Sequence, residues 1–195
     1  MAAIAVAGVG LMVVCSSSLA AVMMMGGEEE TPATPAGPAA PTTPSGQYVK
    51  LVHTVAQDNS AEGNVDDKNK ILNLAELEVF AVGGTTSLAA GKTVTGTALQ
   101  SSYPGANLVD GNMTNFAHTW GRDASVKDEF TVDLGSVQEI EKIKITNRVD
   151  CCKNRAIGIK AVILGADGTT VVKETPAIST TADTYTFTFP GTAWA

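Results

Sequence analysis

Short runs in which apolar and polar residues alternate are the feature that most constrains how this chain can fold. In one of these runs, Phe130, Val132 and Leu134 alternate with polar residues, and the run stops at Gly135. Successive side chains of a β-strand point to opposite faces of a sheet, so a period of two predicts a strand with one buried face. The same pattern predicts strands over residues 48–53, 74–80, 142–146, 159–164, 171–173 and 185–189.

The spacing of these runs predicts the fold class. Gly, Asn and Asp residues separate the runs, as in the Ala-Asp-Gly turn at 166–168. Outside the N-terminus no long stretch has the period of an amphipathic helix, and Thr, Val, Ile and Gly are abundant. Many short strands with turn residues between them favour an all-β, antiparallel sandwich.

The first 45 residues divide into two segments that differ from this pattern. Residues 1–27 contain no charged side chain, and the apolar run 2–25 is long enough to cross a bilayer as a helix. A signal anchor would leave a membrane-anchored chain with an extracellular or virion-surface domain. A signal peptide cleaved after Ala20 would leave a secreted one, and a buried segment of a larger assembly is the third alternative. Residues 28–45 form an acidic, Pro-rich linker, which leaves 46–195 as one domain.

Net charge and the absence of catalytic motifs argue against two classes of function. The net charge is −7, so attraction to the phosphates of nucleic acid is not expected. Only two histidines are present, His53 and His118, and the chain has neither a Gly-x-Ser-x-Gly nor a His-Glu-x-x-His pattern. We therefore predict a protein that is not an enzyme and does not bind nucleic acid.

The most informative segment for function is residues 146–155, with the sequence TNRVDCCKNR. Arg148 and Arg155 bracket Asp150 and two adjacent cysteines, Cys151 and Cys152. Arginine presents a rigid fork of donors that can bind vicinal hydroxyls or a ring oxygen, and a carboxylate can hold that fork in place. In an exported protein, adjacent cysteines can form a vicinal disulfide whose compact face packs against a sugar ring. The segment therefore has the chemistry of a carbohydrate site.

This segment resembles the F-type lectins, or fucolectins, a branch of the galactose-binding-like jelly-roll superfamily that includes the discoidin or coagulation-factor type C domains. The family motif is a His, then Arg-x-Asp and a second basic residue, often with Cys-Cys between them. The resemblance implies a jelly-roll sandwich in which Arg148 and Arg155 bind fucose- or galactose-like hydroxyls and Asp150 orients the arginines. Cys151 and Cys152 stand at the positions of the family's cysteine pair.

His118 is the candidate for the histidine of that motif. The family carries two histidines in this region, and the later one contacts the sugar. His118 aligns better with the earlier one. The alternative role for His118 is that of a loop histidine hydrogen-bonded to the backbone.

A second matching motif predicts a calcium site. Residues 107–112 are NLVDGN, and the corresponding loop of the family wraps a structural calcium ion, a hard cation that takes oxygen ligands. By this resemblance Asp110 and Glu76 supply carboxylates, and Asn107 and Asn112 supply further oxygens. The alternative is an Asp-Gly-Asn turn without a metal. Asn112 also begins the glycosylation sequon Asn-Met-Thr, and a buried calcium loop would make it a poor acceptor.

The order of the predicted strands differs from that of the related families. Strands that resemble residues 48–53 and 74–80 come last in those families and first in this chain. The simplest explanation is a circularly permuted domain, because the two ends of a domain usually lie close together at its surface. The alternative is a fragment in which residues 46–82 are the tail of a preceding domain.

Together these features predict a lectin that binds glycans on glycoproteins or cell surfaces and associates with a membrane through its N-terminal segment. Single lectin sites are usually weak, so an oligomer or an anchored array would gain affinity through multivalency. The alternative from another class is a discoidin-like adhesion or structural domain that binds protein or phospholipid.

Overall fold

The computed structural model describes residues 42–54, 71–97, 99–119 and 128–190, all of which belong to the unit Ala40–Ala195. The hydrophobic segment and helix predicted for residues 1–27 lie outside these residues, as does all but the end of the predicted linker. Within the four described ranges, no helix combines the length and the apolar character that crossing a membrane requires.

Strands dominate the regular structure of the described residues, and they pair only in antiparallel fashion. Two short 3-10 turns, Gly105–Leu108 and Lys153–Ala156, supplement them. The strands are β1 (Ser45–His53), β2 (Asn73–Ala81), β3 (Thr93–Gly96), β4 (Ala117–His118), β5 (Glu129–Asn147), β6 (Ile159–Leu164), β7 (Val171–Glu174) and β8 (Thr184–Thr188).

The strands form two sheets that share β5. The first sheet has the order β3-β5-β1-β6-β7, and the second has the order β4-β2-β5-β8. The first half of β5 pairs with β1 and β3, whereas its second half, from Ile140 onward, pairs with β2 and β8. A single long strand therefore passes from one sheet into the other.

This long strand differs from the sequence prediction, which ended one strand at Gly135 and began another at residue 142. The structure has a continuous strand of 19 residues, Glu129–Asn147. Gly135 lies inside it with φ of +88°, a conformation that L residues with side chains rarely adopt. The polar stretch after Gly135, which suggested the end of a strand, is the exposed part of β5 that passes from one sheet into the other.

One hydrophobic core fills the space between the sheets. Leu51 and Phe130 come from the first sheet and Leu77, Ile145 and Phe187 from the second, and each is fully buried. Burial of a side chain of this size contributes about 1.5–3 kcal/mol. The predicted all-β, antiparallel sandwich is confirmed.

The first two strands occupy central positions. β1 lies between β5 and β6, and β2 lies between β4 and β5. Leu72, Leu74 and Val79 in and beside β2 are all fully buried in the shared core. Residues from the beginning of the domain are thus hydrogen-bonded on both sides to strands from its later part.

Candidate functional site

The candidate site lies where β5 ends, beside the start of β2 and the short strand β4. Asn147, the last residue of β5, is buried and holds the loop that follows. Its Nδ2 donates to the carbonyl oxygens of Lys153 (2.9 Å) and Ala182 (3.1 Å), and its Oδ1 accepts from the main-chain N–H of Arg148 (3.0 Å). These bonds satisfy loop backbone groups that no strand partner reaches, so the loop has a defined path.

Arg148 is held by Asp150, two residues further along. Nε and Nη2 of Arg148 donate to the two carboxylate oxygens of Asp150 at 2.7 and 2.6 Å, which makes a bidentate pair. Arg148 is buried, whereas the side chain of Asp150 is 57% exposed. The hydrogen bonds from Arg148 lower the pKa of Asp150 to about 2, so its carboxylate stays ionised at neutral pH. Asp150 therefore contacts Arg148 as expected for a carboxylate that orients the arginine.

Asn73, a residue that sequence analysis missed, joins the two arginines. It is the first residue of β2 and is 1% exposed. With its amide oxygen turned toward the arginines, Asn73 Oδ1 accepts from Nη1 of Arg148 at 3.3 Å and from Nη1 of Arg155 at 3.1 Å. The two guanidinium groups therefore share one buried acceptor, which sets their separation. The contact is long-range, so no local spacing in the sequence signals it.

Arg155 lies in the 3-10 turn Lys153–Ala156 and is also buried. Its main-chain carbonyl oxygen is 2.8 Å from Nε2 of His53, the buried last residue of β1. β1 thus positions the backbone of Arg155, while Asn73 on β2 contacts its guanidinium group. Two strands from the beginning of the domain hold an arginine that lies far from them in sequence.

His118 lies in β4, directly opposite Asn73 in the pairing of β2 with β4. Its Nδ1 is hydrogen-bonded to the main-chain carbonyl of Thr119, so the backbone contact expected for a loop histidine is present. Burial lowers the pKa of His118 to about 4; the Thr119 carbonyl opposes this shift, and the positive charges of Arg155 and Arg148 add to it. His118 is therefore neutral at neutral pH and close to both arginines, and its contact with a sugar stays a prediction.

Two aromatic residues that sequence analysis also missed extend the site. The guanidinium carbon of Arg148 lies 3.8 Å from the centre of the Phe116 ring. Phe116 in turn stacks on Tyr103, with 4.5 Å between ring centres and 13° between ring planes. A cation over an aromatic face is attracted by the ring quadrupole, so this stack supports the orientation of Arg148. Tyr103, the outer ring of the stack, is 38% exposed.

The adjacent cysteines form a disulfide in the structure. Cys151 is exposed and Cys152 is half-buried. The main-chain N–H of Cys151 donates to the carboxylate of Asp150 at 3.0 Å, and Lys153, which follows the pair, forms an ion pair with Asp183. The disulfide therefore lies on the accessible side of the loop that carries both arginines.

Three of the predicted calcium residues lie in segment 107–112, and the fourth, Glu76, lies on β2, which this segment contacts. Glu76 is 3% exposed, and its Oε2 accepts from the main-chain N–H of Gly111 at 3.1 Å. Asp110 Oδ1 accepts from the main-chain N–H of Asn112 at 2.8 Å. Asn107 donates from Nδ2 to the carbonyl oxygen of Phe116 at 3.0 Å, which leaves its Oδ1 as an acceptor. The structure thus brings segment 107–112, which carries Asp110 and both asparagines, against Glu76 on β2.

The electrostatics of this loop fit a bound cation. The pKa of Glu76 is raised to about 7, mainly by burial; the hydrogen bond from Gly111 opposes this shift, and the negative charge of Asp110 adds to it. A divalent cation between the two carboxylates would remove this penalty. Among the residues that the structure describes, no group of three or more His, Cys, Asp or Glu side chains could hold a metal ion, so the remaining ligands would be amide or carbonyl oxygens.

Comparison with known protein families agrees with the fold. No curated protein matches the chain. Residues 107–194 match the family F5_F8_type_C_2, described as NedA-like, galactose-binding domain. The matched range contains Arg148, Asp150 and Arg155, as well as His118 and the loop around Asp110. Domains of this type are typically non-catalytic and bind carbohydrate or other ligands. Over residues 107–194 the chain is therefore similar to the discoidin-type domains of the galactose-binding-like superfamily.

Proposed function

We propose that this domain is a lectin that binds fucose- or galactose-like sugars at the surface around Arg148 and Arg155, without catalysis. The observation that carries the proposal is the pair of buried guanidinium groups joined by Asn73 and held on one side by Asp150. A guanidinium group has five N–H donors. The described contacts of Arg148 use three of them, Nε, Nη1 and Nη2, so further donors remain for hydroxyl oxygens.

The neighbouring groups suit a polyhydroxylated ligand. In neutral His118, Nδ1 donates to the Thr119 carbonyl, so Nε2 is the unprotonated ring nitrogen, which accepts hydrogen bonds. The site thus combines guanidinium donors with an imidazole acceptor, and sugar hydroxyls both donate and accept. The Cys151–Cys152 disulfide and the Tyr103 ring supply apolar surface for the C–H face of a sugar.

The proposal is tested by binding of the full chain to a glycan array, with the protein made under oxidising conditions. We expect wild-type binding, and at least a tenfold weaker interaction for Arg148→Lys, since lysine keeps the charge but loses the fork. Arg155→Lys should have a similar effect. Lys153→Ala is the matched control, because it removes an exposed cation from the same loop and should leave the affinity unchanged.

Two outcomes would contradict the proposal. One is a blank array from folded wild-type protein. The other is binding that Arg148→Lys and Arg155→Lys leave unchanged. Binding to phospholipid vesicles that does not depend on either arginine would favour the discoidin-like adhesion alternative.

We also propose a structural calcium ion held by Glu76 and Asp110, with oxygens of Asn107 and Asn112 completing its ligands. The support is the buried carboxyl group of Glu76, whose pKa is raised by burial and by the negative charge of the exposed Asp110. The ion would neutralise this pair and hold the loop to β2 without contacting the sugar.

The proposed arrangement is an anchored lectin on a cell or virion surface. The apolar run 2–25 would hold the chain in a membrane, the Pro-rich linker would space the domain from it, and several copies would bind a glycan surface together. The test is fractionation of the full chain: an anchor predicts that it stays with membranes after alkaline extraction, whereas a cleaved peptide predicts release and a new N-terminus after Ala20.

A further inference from the structure

A second carbohydrate-related feature lies in the loop beside the proposed calcium residues. Residues 112–114, Asn-Met-Thr, are the only Asn-x-Ser/Thr sequence in the 195 residues. From sequence alone, a buried calcium loop argued against its use. In the structure both Asn112 and Thr114 are exposed, so the premise of burial does not hold for these two side chains.

The side-chain geometry of the sequon is the observation that changes the conclusion. Asn112 Oδ1 accepts from the main-chain N–H of Thr114 at 3.0 Å and from its Oγ1 at 2.6 Å. Both donors bind the amide oxygen, which leaves Nδ2 directed elsewhere. Among the described residues, Nδ2 of Asn112 makes no hydrogen bond. Two donors on the oxygen also polarise the carboxamide.

We propose that Asn112 is a site of N-linked glycosylation. The donor class is an oligosaccharide carried on a lipid pyrophosphate. Nδ2 of Asn112 forms a bond to the anomeric carbon of the first sugar, the bond from that carbon to the pyrophosphate oxygen breaks, Nδ2 loses one proton, and the lipid pyrophosphate leaves. The folded domain tolerates the product, since Asn112 is exposed and a glycan is bulky and solubilising.

The glycan and the proposed calcium ion are compatible at this residue. The side-chain oxygen of Asn112 binds Thr114, so the contribution of Asn112 to the ion is its main-chain carbonyl oxygen. Glu76 and Asp110 provide the charge. The inference does not depend on the lectin proposal, because it concerns a different side chain and a different reaction.

The test is translation of the full chain behind an added cleavable signal sequence in the presence of endoplasmic-reticulum microsomes. We expect one glycan, seen as a mobility shift that endoglycosidase removes. Asn112→Gln and Thr114→Ala should lose the shift, whereas Thr114→Ser should keep it, because serine retains the hydroxyl.

Asp167→Asn supplies the matched control. It creates an Asn-Gly-Thr sequon in the exposed turn between β6 and β7 and reports delivery of the chain to the lumen. In combination with Asn112→Gln this variant should carry one glycan, and by itself it should carry two. Modification of residue 167 without modification of Asn112 would overturn the inference.

Discussion

At the scale of single residues, the candidate site is defined by buried polar groups that hold one another. Arg148, Arg155, Asn73 and His118 are each less than 9% exposed. Burying such groups costs free energy unless each has a partner, and the arginines find theirs in Asp150 and Asn73. Side chains held in this way are prearranged for a ligand, because little rotamer freedom is left to lose on binding.

Replacement of Asn73 tests whether it holds the arginine pair. Asn73→Ala removes the acceptor shared by the two Nη1 atoms, so these two buried donors lose a hydrogen-bond partner. We expect a loss of about 1–3 kcal/mol in the free energy of unfolding, measured by urea denaturation. Asn154→Ala in the neighbouring loop is the control, because Asn154 is exposed and should change stability by less than about 0.5 kcal/mol. Equal effects of the two substitutions would show that Asn73 has no special role.

The lowered pKa of His118 predicts how stability depends on pH. The pKa is about 4 in the folded protein against an ordinary 6.5. Between these values the unfolded chain binds a proton that the folded chain does not, so stability falls as the pH is lowered from 6.5 to 4. Protonation of His118 in the unfolded chain should lower the free energy of unfolding by about 3 kcal/mol between pH 6.5 and pH 4.

His118→Gln isolates this contribution, since glutamine does not titrate and all other ionisable groups are shared. Unfolding curves at several pH values should show that the difference between wild type and variant changes mainly between pH 6.5 and 4. A difference that stays constant with pH would contradict the assigned shift.

At the scale of elements, β2 connects the two proposed binding regions. Asn73 at its start contacts the arginines, and Glu76, three residues later, contacts the loop at Gly111. Successive residues of a strand are rigidly spaced, so an ion bound at Glu76 would also steady the end of β2 that carries Asn73. The calcium proposal is therefore tested on this strand.

Glu76→Gln is the variant that separates a calcium loop from a simple turn. Calcium should raise the melting temperature of the wild type and have little effect on the variant, because a ligand that binds only the folded state stabilises it by about 2.7 kcal/mol at a hundred times its Kd. Without calcium at neutral pH the variant should be the more stable protein, since it has no buried charge.

The control for this experiment is Glu78→Gln, which changes a carboxylate on the same strand that pairs with Lys144 instead. Its melting temperature should still rise with calcium. An equal response of the Glu76 and Glu78 variants would argue against a calcium ion at this loop.

At the scale of the whole molecule, the central positions of β1 and β2 agree with the predicted circular permutation, which stays a prediction. The beginning of β1 and the end of the described chain lie close together. Thr42 to Ser45 and Pro190 line one cavity of about 410 Å³. Ile140 donates to the carbonyl oxygen of Pro44, and Phe189 donates to that of the adjacent Glu141.

A rearranged chain tests this prediction. Residues 84–190 would come first, followed by a short flexible linker and residues 42–83, so that the new ends fall in the exposed turn at Gly83 and Gly84. We expect this chain to fold with the same sheet content and cooperative unfolding, measured by circular dichroism. The control is residues 84–190 without β1 and β2, which should not fold because both sheets lose a central strand.

The alternation of apolar and polar residues was sufficient to predict the sandwich, because a period of two specifies strands whatever their order in the sheets. It placed Phe130, Leu77 and Phe187 on buried faces, as the structure has them. It could not show that β5 runs through Gly135. A strand that changes sheets exposes both faces at the crossing, and this looks like a loop in sequence.

The local sequence also predicted the site residues Arg148, Asp150, the cysteine pair and Arg155, because they lie close together along the chain. It could not find Asn73 and Phe116, which contact the arginines, or Tyr103, which stacks on Phe116, because these contacts form only when β2, β4 and their neighbouring loop pack together. Nor could it decide the exposure of Asn112. Residue types and their spacing are local properties, whereas burial and shared hydrogen-bond partners depend on which strands become neighbours. The sequence determined the chemistry of the site, and the tertiary structure decided which side chains hold it in place.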